Sequence, residues 1–99
     1  MSKWLQSGRR RDICVLLAGA SDGELRGQQL KSRLESRYDD HLEPKSFYGS
    51  LSALVDAGFV EERTEGIHDV YALTDGGDKR LREHAEWIQT CLENGEENS

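Results

Sequence analysis

The segment EPKSFYGSLSALVDAGFVEE, Glu43 to Glu62, holds the only proline of the chain, and the reading of its neighbours depends on it. Proline suits the first position of a helix, where its missing N–H would have no intrahelical partner anyway. Phe47, Leu51, Leu54 and Val55 then follow at i, i+4, i+7 and i+8, a single apolar stripe. Gly58 offers the left-handed conformation that the residue after a helix often needs. The spacing predicts a helix over 44–57 with its stripe turned inward. The opposite side carries Lys45, Gly49, Ser52, Ala53 and Asp56, flanked by Ser46 and Tyr48, so the outward surface is small and close to neutral.

Towards the N-terminus, Ile13, Leu16 and Leu17, with Cys14 and Val15 beside them, predict a short buried helix over 9–18 behind a loosely held arm, residues 1–8. "AGASDG" breaks it with small residues and glycines. Leu30 and Leu34 share one face of a second helix, expected from near Leu25 to Tyr38. Towards the C-terminus the period changes. Phe59–Arg63 and Val70–Leu73 each suit a strand, giving a hairpin with a polar tip at Gly66. Thr74 can cap a fourth helix over 75–93, with Leu81, Ala85, Ile88 and Leu92 as its stripe and Trp87 and Cys91 widening it. Residues 94–99 read as a frayed acidic tail.

The chain's 99 residues fit one domain with a small core, a size at which pairing with a second copy often hides further apolar surface. No apolar run is long enough to span a membrane and no signal peptide is evident, so the expected compartment is the cytoplasm, with both cysteines reduced and packed. Nineteen acidic residues face thirteen basic ones, nine of them Arg and only four Lys, for a net charge of −6. This is the surface bias expected of a salt-loving archaeon; the ordinary alternative is a mildly acidic bacterial protein. The charge is polarised: Lys3, Arg9, Arg10 and Arg11 stand against Asp12 alone in the first 20 residues, and acids dominate the last 25. Local patches, rather than net charge, decide which surface meets an anionic partner.

Helix, helix, turn, helix and hairpin is the order of a winged helix-turn-helix, mainly α within the α+β class, with residues 9–74 as the domain and 75–93 appended. Three segments sharpen this. "ICVLLAGASDGELRGQQLKSRLE", "PKSFYGSLSALVDAGFVEE" and "VYALTDGG" together resemble the PadR-like transcriptional regulators, in their short form with one C-terminal helix. The likeness covers about residues 12–82, and the middle segment is its most specific part. There are departures: Glu43 stands where the family usually has a capping Ser, and Gln28 where it often has an aromatic. The wing carries Glu61, Glu62, Glu65 and Asp69, which weakens the case for a grip on phosphate.

The resemblance implies a regulator that sets helix 44–57 in the major groove of double-stranded DNA, with Tyr48 donating to a phosphate. The candidate DNA contacts are Lys45, Ser46, Tyr48, Gly49 and Ser52 on that helix, Arg9, Arg10 and Arg11 at the start of the first helix, and Arg63 and His68 in the wing. The bland alternatives are a solvated helix face, an ordinary charge run and a hairpin-tip histidine. If the cell is salty, few cations are left to hold DNA by counterion release, so groove fit and base contacts must carry more of the affinity.

The fourth helix has a stripe that nothing left in the chain covers. The resemblance implies that it pairs with a second copy through Trp4, Leu81, Ala85, Trp87, Ile88, Cys91 and Leu92, which would set two reading helices about 34 Å apart on a palindrome. The alternative is that it folds back on its own domain. No nucleophile motif, phosphate loop or metal-ligand spacing occurs, and His41, His68 and His84 are scattered, so no enzyme, cofactor or metal site is expected. The expected function is a homodimeric transcriptional repressor with no assigned small-molecule effector. The rival is a winged-helix protein-interaction module, or a DNA-mimicking decoy, that binds no DNA.

Overall fold

A computed structural model describes residues 8–98, with side chains through 94. The elements run α1 (Gly8–Ala18), β1 (Glu24–Arg26), α2 (Gly27–Tyr38), α3 (Pro44–Asp56), β2 (Val60–Glu65), β3 (His68–Leu73) and α4 (Asp75–Asn98). The expected arm, residues 1–8, lies outside the described residues except for Gly8.

The proline-to-glycine segment folds as its punctuation dictates. Pro44 opens α3, and Glu43 before it is extended and makes no side-chain cap. At the other end Gly58 takes φ 82°. Its N–H donates to Val55 O and that of Phe59 to Leu54 O, each at 3.0 Å, so the last carbonyls are satisfied as the chain turns into the wing. The turn between α2 and α3 closes on one carboxylate oxygen. Glu35 Oε2 accepts from the Leu42 N–H at 2.8 Å and from Lys31 Nζ at 2.9 Å, with His41 Nδ1 also at 2.9 Å. The Leu42 N–H, and then Lys31, hold its carboxyl below the usual carboxylate range.

Residues 24–26 depart from the expectation that α2 starts near Leu25. They pair antiparallel with β3, Glu24 opposite Ala72, Leu25 opposite Tyr71 and Arg26 opposite Val70. The sheet is therefore three-stranded, ordered β1-β3-β2, and not a two-stranded hairpin. The physical gain is that the free edge of β3 is covered and Leu25 is buried. The pairing with β3 holds residues 24–26 extended, so the helix starts at Gly27, a position where a side chain would be squeezed: an added Cβ would lie 3.0 Å from the Tyr48 ring and 3.2 Å from that of Tyr71. Gln29 Oε1 accepts the Arg26 N–H at 3.1 Å and so satisfies one donor at the start of α2.

Ile13, Cys14 and Leu17 of α1, Leu30 and Leu34 of α2, and Phe47, Leu51 and Leu54 of α3 form the core, closed by Leu25, Phe59, Val60 and Tyr71 from the sheet region. Phe47 has no exposed surface, and replacing such a ring with Ala costs about 3–5 kcal/mol, enough to unfold a domain of marginal stability. Burial pushes the Cys14 thiol up to about 12. Cys91 departs from the expectation of a packed thiol, since it is exposed.

Thr74 caps α4 as expected. Its Oγ1 accepts the Gly77 N–H at 2.9 Å while its hydroxyl donates to Gly58 O at 2.6 Å, which fixes the helix to the end of α3. Leu81 and His84 are buried, but every side chain from Ala85 to Asn94 is exposed. The helix runs on to Asn98 and not to 93, so the tail expected to fray is helical. Among the described residues no helix is long and apolar enough to cross a membrane.

Candidate nucleic-acid interface

The outward face of α3 is presented as the helical spacing requires. Lys45, Ser46, Tyr48, Gly49 and Ser52 are all exposed. Nothing lies within 4 Å of a Cβ added at Gly49, so this face is open and shallow in relief. Ser46 and Tyr48 sit on opposite flanks, since two residues advance a helix by about 200°.

On the Ser46 flank, α1 brings in its first turn. Arg9 Nη1 donates to Ser46 Oγ at 2.7 Å, which joins the sequence-distant arginine run to the N-terminal end of α3. Arg10 and Arg11 follow, part-buried. Beside them Tyr38 donates its hydroxyl to Asp12 Oδ2 at 2.6 Å, and burial followed by this bond pushes the phenol up to about 12. The single acid of this region is thus engaged by a tyrosine.

On the other flank, Tyr48 leans away from the centre of the face. Its ring meets Phe47 edge-on, with centroids 5.0 Å apart and planes at 82°. Its hydroxyl end lies against Gly27, 3.2 Å from where a Cβ would stand. A groove of about 620 Å³ opens there between α2 and the wing, and Arg26, Gln28, Arg33, Tyr48 and His68 are among its lining residues. Arg26 and Arg33 were not singled out by the sequence reading. Seven residues, two helical turns, would set them on one side of a helix that began near Leu25; in the fold Arg26 ends β1 and Arg33 lies in α2, and the groove brings them to one lining.

The wing is a poorer source of cations than expected. Arg63 donates to both carboxylate oxygens of Glu24, at 2.6 and 2.8 Å, and to Glu65 Oε2 at 2.7 Å. These bonds raise its pKa further and hold the Glu24 carboxyl below its ordinary range. Arg63, expected at a phosphate, is here hydrogen-bonded to carboxylates of its own sheet. His68 stands at the groove, its Nε2 3.4 Å from Arg26 Nη1, and Glu61, Glu62, Glu65 and Asp69 are exposed along the two strands of the wing.

On α4 the residues expected at a dimer interface divide. Leu81 belongs to the domain's own core at 6% exposure. Ala85 and Cys91 are exposed, as are Trp87, Ile88 and Leu92, at 52%, 39% and 66% for the last three. Val15 of α1, 50% exposed, was assigned to a buried helix and is an exposed apolar residue instead. Trp4 lies outside the described residues. Among the described residues no group of three or more His, Cys, Asp or Glu side chains could hold a metal ion.

No protein-family model matches the chain, and no curated protein does. Solved structures do. RosR of H. salinarum superposes with a TM-score of 0.78 at 25% identity, over 85% of this chain and 74% of its own. F93 from STIV, a winged-helix DNA-binding protein, gives 0.65 at 22% identity over 78% and 84%. AntR, an antimony-specific transcriptional repressor, gives 0.69 at 18% identity over 92% and 76%. The fold is a winged helix-turn-helix, the one that the order of elements implied.

Proposed function

We propose that the chain is a DNA-binding transcriptional regulator that sets α3 in the major groove and acts as a homodimer on a palindromic operator, repressing by occlusion. The observation that carries this reading is the α3 face itself. It is polar, small and unobstructed, it has Lys45 near its N-terminal end, and Arg9 is hydrogen-bonded to Ser46 at its margin. Helices of this fold touch bases with their N-terminal residues, which is where those groups lie. F93, a DNA-binding protein of the same fold, supports the reading, as does AntR, a repressor. The narrower likeness to PadR-like regulators rests on the segments quoted above, and the acid-rich, lysine-poor composition suits a salt-rich cell.

Selection of bound duplexes from a random pool, followed by fluorescence anisotropy on the winner, tests this directly. The wild type should enrich an inverted repeat, and the pair K45A/Y48A should lose most of the preference for it. Unchanged affinity in that variant would remove α3 as the reader and leave the protein-interaction reading, which the acidic wing favours.

A further inference from the structure

We infer that the groove between α2 and the wing seats a backbone phosphate of the bound duplex, and that Arg26 and Arg33 supply there the cationic grip that the wing does not. This rests on the DNA-binding reading and adds a second contact to it.

A helix lying in the major groove, about 12 Å wide, has a sugar–phosphate strand along each side. Phosphate contacts on both flanks are what fix such a helix in register. On the Ser46 flank of α3, Arg9 is in place. On the Tyr48 flank the wing offers little, because Arg63 is held by Glu24 and Glu65 and its neighbours are acids. The groove lies on this flank. Arg26, Arg33, Tyr48 and His68 all line it, and among the described residues Asp69 is the one carboxylate of its lining. Arg33 is exposed and makes no ion pair among the described residues. Arg26 is steered to the groove by its contact with His68. Gly27 forms the floor, and its missing side chain lets the Tyr48 hydroxyl come down to the level of α2. Two planar, always-charged forks beside a phenolic donor match the tetrahedral oxygens of a phosphodiester, with no demand on base identity.

The experiment is a salt titration of duplex binding by fluorescence anisotropy, with the selected operator and a scrambled duplex, for wild type, R26Q, R33Q, R26Q/R33Q and R63Q. Each groove substitution should lower the slope of log K against log salt by about one, and the double variant by about two, equally on both duplexes. R63Q should leave the slope where it was. Circular dichroism melts check folding; R33Q alters an exposed helix position, and its own slope change suffices if Arg26 proves structural. An R26Q/R33Q slope equal to wild type, with K45A/Y48A still impaired, would overturn this inference and leave the α3 reading standing. Inorganic phosphate that shifted the Arg26 and Arg33 side-chain NMR signals, while the double variant kept its DNA affinity, would assign the groove to a free phosphate and overturn it equally. A wild type with no affinity for any duplex would overturn the DNA reading, and this inference with it.

Discussion

The Arg9 guanidinium donates to the Ser46 hydroxyl at 2.7 Å across 37 residues of sequence, so the first turn of α1 and the first turn of α3 act as one surface. Because the Ser46 oxygen accepts from Arg9, its own O–H is left to donate outward. R9A and S46A should each weaken operator binding by about 0.5–1.5 kcal/mol, the worth of one hydrogen bond. R9A/S46A should fall well short of the sum, since each single change already breaks the shared bond. Folding stability should change by less than about 1 kcal/mol, because the pair is exposed to solvent. Anisotropy titrations of the four proteins, with urea melts beside them, check both statements.

Two glycines should respond in opposite directions to the same substitution. At Gly77, in the first turn of α4, an added Cβ would overlap the Phe59 carbonyl and come within 2.8 Å of its carbon, so backbone would have to move. G77A should cost about 3 kcal/mol or more by the overpacking it forces, and it should loosen α4 from the wing. At Gly49 the space is empty and the position is mid-helix, so G49A should stabilise by up to about 1 kcal/mol. The methyl nevertheless stands on the α3 face, and G49A should weaken DNA binding while raising the melting temperature. Paired thermal melts and binding titrations separate the two effects.

The parts that the sequence made legible are those where one residue type has one physical use. Pro44 and Gly58 bound α3, Phe47, Leu51 and Leu54 face the core, and Thr74 caps α4, all as their chemistry requires. What escaped depended on partners distant in sequence. Glu24–Arg26 is too short to show a period, and it becomes a strand only because β3 has an edge to offer. Arg63 looked available until Glu24, 39 residues away, was placed beside it. Arg26 and Arg33 had the right spacing, but only the fold gives them a shared groove with Tyr48. Leu81 lies on the same stripe as Ile88, and where the stripe passes from core to open surface is set by how far the domain reaches along α4.

The two thiols should differ in reactivity. Cys14 has no exposed surface and burial raises its pKa from 9.0 to about 12, so almost none is thiolate at neutral pH, while Cys91 is open to solvent. Titration with a disulfide reagent should find one reactive thiol in the native protein and both in denaturant. A stability effect follows. Below pH 9 Cys14 keeps its proton in both states. As pH rises from 9 towards 12 the unfolded chain loses that proton first, so stability falls. Tyr38, raised from 10.0 to about 12, acts in the same direction. Urea melts at pH 8 and pH 10 should show the loss, and it should shrink in C14A.

The stripe of α4 divides into a part that holds the domain and a part that would hold a second copy, and substitution should tell them apart. Leu81 is buried, so L81A should destabilise folding by about 2–5 kcal/mol. Trp87 and Leu92 are 52% and 66% exposed, so W87S/L92E removes little from the monomer's own packing and should leave its melting temperature nearly unchanged at low protein concentration. If these side chains meet their counterparts across a two-fold axis, the same variant should sediment as a monomer where the wild type sediments as a dimer. Its affinity for a single half-site should stay at the wild-type value. Its affinity for the full palindrome should drop about a hundredfold or more, because the second half-site is then no longer bound as part of the same molecule. A wild type that remains monomeric at concentrations well above those used for DNA binding would leave Trp87, Ile88 and Leu92 without that role, and would require each half-site to be read independently.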